Sequence, residues 1–242
     1  MKERLDKILA ERGLAESRAR ALALVMAGQV LVDGKVITKA GTPVNSDAAI
    51  TIKKGCPYVS RAGYKLEAAA DAFSIDFKGK VAVDVGASTG GFTDLMLQRG
   101  AARVYAVDVG HSQLHYRLRN DPRVICLEEI NARTIDQAVI PEPCDVAVFD
   151  VSFISLKLVI PPILDILKKP SEIVALIKPQ FEAGKGMTKK GIVKDEGTII
   201  SVVENIKEFL YSINLIPLGV IPSPVKGAKG NQEYLIYCTF GK

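Results

Sequence analysis

The sequence predicts an α/β protein built on a mostly parallel sheet covered on both faces, preceded by a small α+β module. Three observations carry this. From Val81 onward, short β-branched runs alternate with amphipathic helical runs, which is the pattern of buried strands joined through helices. Within that region VAVDVGASTGGFTDLML, residues 81–97, reads as strand, glycine turn and helix. The first 54 residues differ, with two short helical patterns followed by hairpin signals.

The whole-chain bounds agree. At 242 residues the chain has room for one large domain or two modest ones. A composition of 48% hydrophobic and 24% charged residues is that of an ordinary globular protein. No apolar run reaches the ~18 residues of a membrane helix, and MKERLDKILAERG is too charged for a signal peptide, so a cytoplasmic location is expected. Cys56, Cys126, Cys144 and Cys238 are single and widely spaced, and His111 and His115 lack partner spacing. Neither a metal site nor a disulfide framework is expected. The net charge of +5 is uneven: residues 1–54 hold ten Lys/Arg against six Asp/Glu, whereas the rest is nearly balanced. That excess favours a polyanionic partner for the N-terminal part.

In order along the chain, Arg4–Arg12 places Leu5, Ile8 and Leu9 on one helical face, and Ala19–Met26 forms a second helix after Ser17 as N-cap. Val30–Ile37 then reads as strand, Asp-Gly turn and strand, and Ala48–Ile52 as a further short strand. Lys53–Tyr58 has Gly and Pro but no hydrophobic period. This places a linker at residues 55–60, between domains of residues 1–54 and 61–242. A helix runs from Ser60 to about Phe73. Strands follow at Val81–Val85, Arg103–Asp108, Val124–Leu127, Asp145–Phe149 and Ile173–Ile177, with helices at Phe92–Gln98, Gln113–Leu118 and Leu156–Leu167. Helix Thr198–Tyr211 and strands near Leu215–Ile221 and Tyr234–Thr239 complete the pattern. The long polar connection PSPVKGAKGNQE separates the last two strands.

Ligands of such sheets bind at the carboxyl ends of the strands, where Asp84, Asp108, Asn131, Asp150 and Lys178 collect. The glycine turn lacks the lysine of a P-loop and departs from the G-x-G-x-x-G dinucleotide fingerprint. Asp84 ahead of Gly86 would repel a pyrophosphate and attract a cation. Asp108, 22 residues past Gly86, is placed to accept the hydroxyls of an adenosine ribose. S-adenosylmethionine satisfies both demands. The expected cofactor contacts are Asp84, Gly86, Ser88, Gly90, Gly91, Phe92, Asp108, Val109, Ile130 and Asn131, with Glu129 competing for the adenine-facing position and Asp84 either touching the methionine moiety or only holding the loop.

The segment RLDKILAERGLAESRARALALVMAGQVLVDGKVI resembles the small RNA-binding domain first described in ribosomal protein S-four. That resemblance implies phosphate contacts from Arg4, Ser17, Arg18, Arg20 and Lys35, which would grip an RNA backbone without reading its sequence. In the larger part, Lys65, Asp150, Lys178 and Glu233 resemble, in order and context, the K-D-K-E tetrad of the FtsJ-like 2′-O-ribose RNA methyltransferases. Together with SRAGYKLE, DVGASTGGFTD, VFDVSFISL and IKPQFEAG, the chain resembles the TlyA, or hemolysin A, family over essentially its full length. The resemblance implies a Rossmann-like S-adenosylmethionine-dependent methyltransferase fold, a seven-stranded sheet ending in an antiparallel hairpin, and methylation of cytidine ribose 2′-hydroxyls in ribosomal RNA.

A sulfonium methyl is already activated, so catalysis has to position the ribose hydroxyl and handle its proton. Lys178 is the candidate for that work, either as a neutral base or as a cation stabilising the developing alkoxide. Asp150 would orient Lys178, and Lys65 and Glu233 would fix the ribose and each other. The loop Gly184–Gly191 adds three lysines that suit RNA steering or a plain solvated loop. Aromatic residues make up 6% of the chain with no Trp, which favours a structured RNA surface over a single-strand stacking platform. Two other readings stand beside this one: a non-catalytic ribosome-assembly factor that binds RNA, and a pore-forming haemolysin, for which no spanning segment is evident.

Overall fold

Two units make up the chain, Met1–Pro57 and Tyr58–Lys242, in a computed structural model that describes residues 2–53, 55–184, 187–188 and 191–241. In the first unit, β1 (Lys2–Arg4) leads into α1 (Leu5–Glu11) and α2 (Arg18–Met26), and β2 (Val30–Val32), β3 (Lys35–Val36), β4 (Pro43–Asn45) and β5 (Ile50–Ile52) follow. Ser17 caps α2, its side chain accepting from the Arg20 amide at 3.2 Å. Asp33 and Gly34 both take positive φ, as a two-residue hairpin between β2 and β3 requires. The helices bury Leu5, Ile8, Leu9, Leu24 and Val25 against Val30, Val32 and Val44. The pairing of β1 with β4 was not expected. Three-residue strands joined across forty residues leave no local period to read.

The second unit runs α3 (Ala62–Phe73), β6 (Val81–Val85), α4 (Gly91–Gln98), β7 (Arg103–Val107), α5 (Tyr116–Arg119), β8 (Val124–Leu127), β9 (Cys144–Phe149), α6 (Leu156–Ile163), β10 (Leu167–Ile177), α7 (Pro179–Glu182), α8 (Glu196–Ser212), β11 (Leu215–Pro222) and β12 (Tyr234–Phe240). Its strands form one seven-stranded sheet in the order β11-β12-β10-β9-β6-β7-β8. Strands β6 to β10 are parallel where they pair, and β12 lies antiparallel to both β10 and β11. The apolar side chains of β6 are split between the two faces. Val81, Val83 and Val85 pack into a cluster with Phe149, Ile160, Ile163 and Leu210. Ala82 joins Leu66, Phe77, Leu95 and Met96 on the other side.

Two helices are shorter than their sequence patterns. The expected helix at Gln113–Leu118 is only Tyr116–Arg119, because the Glu128 carboxylate accepts from the amides of Ser112, Gln113 and Leu114 and holds them as a loop. Helix α6 stops at Ile163; residues Leu164–Ile166 tighten into a 3-10 turn, and β10 begins at Leu167.

Candidate active site

The sheet order reverses direction beside β6, with β7 on one side and β9 on the other. A crevice opens at such a switch point. Gly86 sits in it at φ +85°, and a Cβ there would lie 2.8 Å from the Asp150 carbonyl oxygen. Only glycine lets the ends of β6 and β9 approach this closely.

The tetrad residues, spread over 169 positions of sequence, meet at this edge. Asp150 follows β9 and Lys178 follows β10. Glu233 precedes β12, whose antiparallel course with Ile177 opposite Tyr234 brings it back to the same edge. Lys65 reaches in from α3. The Lys178 Nζ lies 2.6 Å from Asp150 Oδ1 and donates to Ser152 Oγ at 2.9 Å. The Lys65 Nζ lies 2.7 Å from Glu233 Oε2 and 3.7 Å from Asp150 Oδ2. Asp150 thus bridges two lysines, in a neutral cluster of two cations and two carboxylates. Lys65, Lys178 and Glu233 are buried. Asp150 is partly buried, and burying such charges is worthwhile only when they are paired.

Two adjoining cavities meet here. One, of about 350 Å³, contains the tetrad with Asp84, Ser88, Phe92 and Gln180 on its walls. The other, of about 290 Å³, is a slot lined by Val109, Ile130, Val151 and Val159 with Asp108 and Asn131. Both include Gly86, Ser88, Asp150, Ser152 and Phe153. Of the expected cofactor residues, Gly90 and Gly91 line neither. The space of a Cβ is taken at Gly90 by Leu114 and Leu118 and at Gly91 by Ser60 and Ala62, so these glycines serve the packing of α4. Four amides of the turn are engaged within the protein: those of Gly86 and Ala87 donate to the Val107 carbonyl, that of Ser88 to Asp108 and that of Gly90 to the Ala87 carbonyl.

Asp84 is fully buried. Its Oδ2 accepts from the Thr93 amide and hydroxyl at 2.9 and 2.6 Å, while its Oδ1 has no partner. Burial pushes its carboxyl up to about 7, with nearby Asp150 and Asp108 adding to the rise and the two Thr93 hydrogen bonds opposing it. Asp84 thus ties the end of β6 to the first turn of α4, and its other carboxylate oxygen is buried without a partner in a residue that lines the tetrad cavity. Asp108 accepts from the Ser88 and Gly110 amides, one on each oxygen. Asn131 accepts from the Arg133 amide, and Glu129 does not line the slot.

Sequence reasoning missed Phe153. It is 90% exposed with φ +64°, and its ring lies 4.8 Å from that of Phe181 at the mouth of the tetrad cavity. Its place directly after Asp150 and Ser152 was the available signal, but an aromatic in an apolar run reads as core.

In the first unit, Arg4 and Arg18 converge on Asp6 at 3.0 and 3.2 Å. Arg20 and Lys35 are exposed, and the Ser17 hydroxyl is spent on its cap. Lys185, Lys189 and Lys190 of the 184–191 loop lie outside the described residues. Among the described residues no helix is long and apolar enough to cross a membrane, and no group of His, Cys, Asp and Glu could hold a metal.

The parallel sheet with a reversed last strand, and a crevice at its switch point, define a Rossmann-like methyltransferase fold. The description FtsJ-like methyltransferase matches residues 58–240, and the S4 domain matches residues 3–50. The chain belongs to the FtsJ-like methyltransferases and, within them, to the TlyA or hemolysin A family. It is 42% identical to the 16S/23S rRNA (cytidine-2′-O)-methyltransferase TlyA of Mycobacterium tuberculosis over 97% of this chain and 88% of that one. It is also 42% identical to Hemolysin A of Brachyspira hyodysenteriae, over 97% of this chain and 98% of the relative. A solved structure from Streptococcus thermophilus, described as a candidate hemolysin, superposes with a TM-score of 0.77 at 40% identity, covering 99% of this chain and 88% of that one.

Proposed function

We propose that the protein transfers the methyl group of S-adenosylmethionine to ribose 2′-hydroxyls of cytidines in ribosomal RNA, with residues 1–54 docking the RNA and residues 61–242 carrying the chemistry. The observation that carries this reading is the contact chain Glu233–Lys65–Asp150–Lys178 in a cavity that opens onto the slot between Val109 and Ile130. The name of the Mycobacterium relative supports the substrate class.

The residues present fit the cofactor. Val109 and Ile130 give apolar walls for an adenine, and Asp108 and Asn131 supply polar groups for the nucleoside. The unpartnered Asp84 Oδ1 and the Asp150 carboxylate provide the negative charge that a sulfonium and an ammonium require. When bound, S-adenosylmethionine supplies an electrophilic methyl group.

The protein's part is then positioning and charge. Lys178 uses two of its three N–H groups on Asp150 and Ser152 and has the third for the acceptor hydroxyl. That third N–H stabilises the charge that develops on the 2′-oxygen while its proton passes to solvent water; as a neutral amine, Lys178 would instead take that proton itself. Lys65, held by Glu233 and Asp150, fixes the ribose against rotation so that the attacking oxygen stays in line.

Lys178→Ala is expected to lower methyl transfer by roughly 10³-fold with the melting temperature preserved. A nucleotide-resolution map of 2′-O-methylation from cells with and without the protein tests the substrate. If no cytidine in ribosomal RNA loses its methyl group when the protein is absent, the proposal fails.

A further inference from the structure

A third cleft, of about 460 Å³, opens between the start of α3 and the loop at residues 225–229. It shares Lys65 and Gly227 with the tetrad cavity, so the two are continuous. Its walls carry four cationic side chains, Arg61, Lys65, Lys226 and Lys229, and no acid. Among the described residues, neither Arg61 nor Lys226 has a carboxylate partner.

The loop that carries Lys226 and Lys229 is built into the site. Asn231 is 2% exposed; its amide nitrogen donates to the carbonyls of Gly191 and Ala228, and its Oδ1 accepts from the Val193 amide. The Gly227 amide closes the loop onto the Asn231 carbonyl at 2.9 Å. A Cβ at Gly227 would fall 2.0 Å from Glu233 Oε1, so the loop backbone rests directly on a tetrad carboxylate. The backbone that carries Lys226 and Lys229 is thereby held in a fixed relation to the acceptor site, while their side chains, like that of Arg61, are exposed.

We propose that this cleft binds the 3′ phosphodiester of the nucleotide whose 2′-hydroxyl is methylated. This rests on the function proposed above. In a ribonucleotide the carbon bearing the 2′-oxygen is bonded to the carbon whose oxygen carries the 3′ phosphate, so a hydroxyl at Lys178 brings that phosphate to an adjoining cavity. The slot on the other side contains the Asp108 carboxylate, which has no cation partner among the described residues, and repels it. The acid-free cleft attracts it, with guanidinium and ammonium donors that match phosphate oxygens. Arg61 and Lys226 are positioning residues here; they orient the ribose through its phosphate.

The test uses the full chain with ribosomal subunits that lack the modification. Arg61→Gln together with Lys226→Gln is expected to raise KM for subunits roughly tenfold with kcat changed far less. The slope of log affinity against log salt is expected to flatten by about 0.7–0.9 for each charge removed. Calorimetric affinity for S-adenosylmethionine and the melting temperature stay as in the wild type, and Lys226→Arg restores the slope on that side. An unchanged KM and an unchanged salt slope in the double variant overturn the subsite alone. Wild-type protein that binds and methylates no ribosomal RNA overturns the function and the subsite together.

Discussion

Asp6 and Asp84 are both buried carboxylates, one in each unit, and their environments drive them in opposite directions. Asp6 faces two guanidiniums; the Arg4 hydrogen bond, helped by Arg18, brings its carboxyl down to about 2 against the opposing effect of burial. Asp84 has no ion-pair partner among the described residues. Burial, with Asp150 and Asp108 nearby, raises it to about 7. The first is a finished ion pair that stabilises the local fold. The second keeps one carboxylate oxygen with no hydrogen-bond partner; under the proposed function, the missing positive charge is the ligand's. An unsatisfied buried acid marks a binding site more sharply than a satisfied one.

The largest expected effect that tests this contrast is at Asp84. A carboxyl whose folded value lies above its unfolded value binds more protons in the native state, so its contribution falls as pH rises from about 4 to about 7. The difference is about 4 kcal/mol. Asp84→Asn is therefore expected to melt higher than the wild type at pH 8, with the gap closing toward pH 4, and to bind S-adenosylmethionine more weakly at pH 8. Melting curves across pH together with calorimetry check both, and a gap independent of pH breaks the comparison.

Next in size is Thr93→Val, which removes the hydroxyl donor at 2.6 Å. It should weaken cofactor binding at pH 7 by about 1–2 kcal/mol and move the pH midpoint of binding upward. An unmoved midpoint would mean that Thr93 does not set the charge of Asp84.

Asp6→Asn tests the other member. Its folded value is depressed, so the stabilisation is present above about pH 4 and lost as pH falls toward 2. Because Arg4 and Arg18 are more than half exposed, solvent screening reduces it to about 1 kcal/mol. Hydrogen exchange of the α1 amides reads this loss, which should shrink in 1 M salt. The smallest effect is Ser17→Ala, expected to loosen α2 by about 0.5–1 kcal/mol through its lost cap while the salt dependence of RNA binding stays the same. Weaker RNA binding with an unchanged salt slope would instead return Ser17, as a neutral phosphate contact, to the RNA contacts.

Legibility in the sequence followed the range of the interactions. The strands from β6 to β10 were readable because burial on both faces leaves continuous apolar runs, and Asp150 and Lys178 were placed together because polar residues of α/β sheets gather at the carboxyl ends of the strands, whereas Lys65 and Glu233 came only from the resemblance to the K-D-K-E tetrad. The length of α5 was not, since it depends on Glu128, fourteen or more residues away in sequence, taking three backbone amides. The reason for Gly90 and Gly91 was also hidden. Glycines before a helix suggest a ligand, whereas here Leu114, Leu118, Ser60 and Ala62 fill the space. Phe153 lay beyond reach because its exposure comes from a positive φ that no periodicity encodes.

The position of β12 ties closure of the sheet to the site. It follows β11 in sequence yet lies inside the sheet between β10 and β11, and the residue preceding it is Glu233. Without β12 in place, β11 has no neighbour in the sheet and Lys65 lacks its 2.7 Å contact with Glu233. Closure of the sheet and completion of the four-residue contact chain are therefore one event in folding.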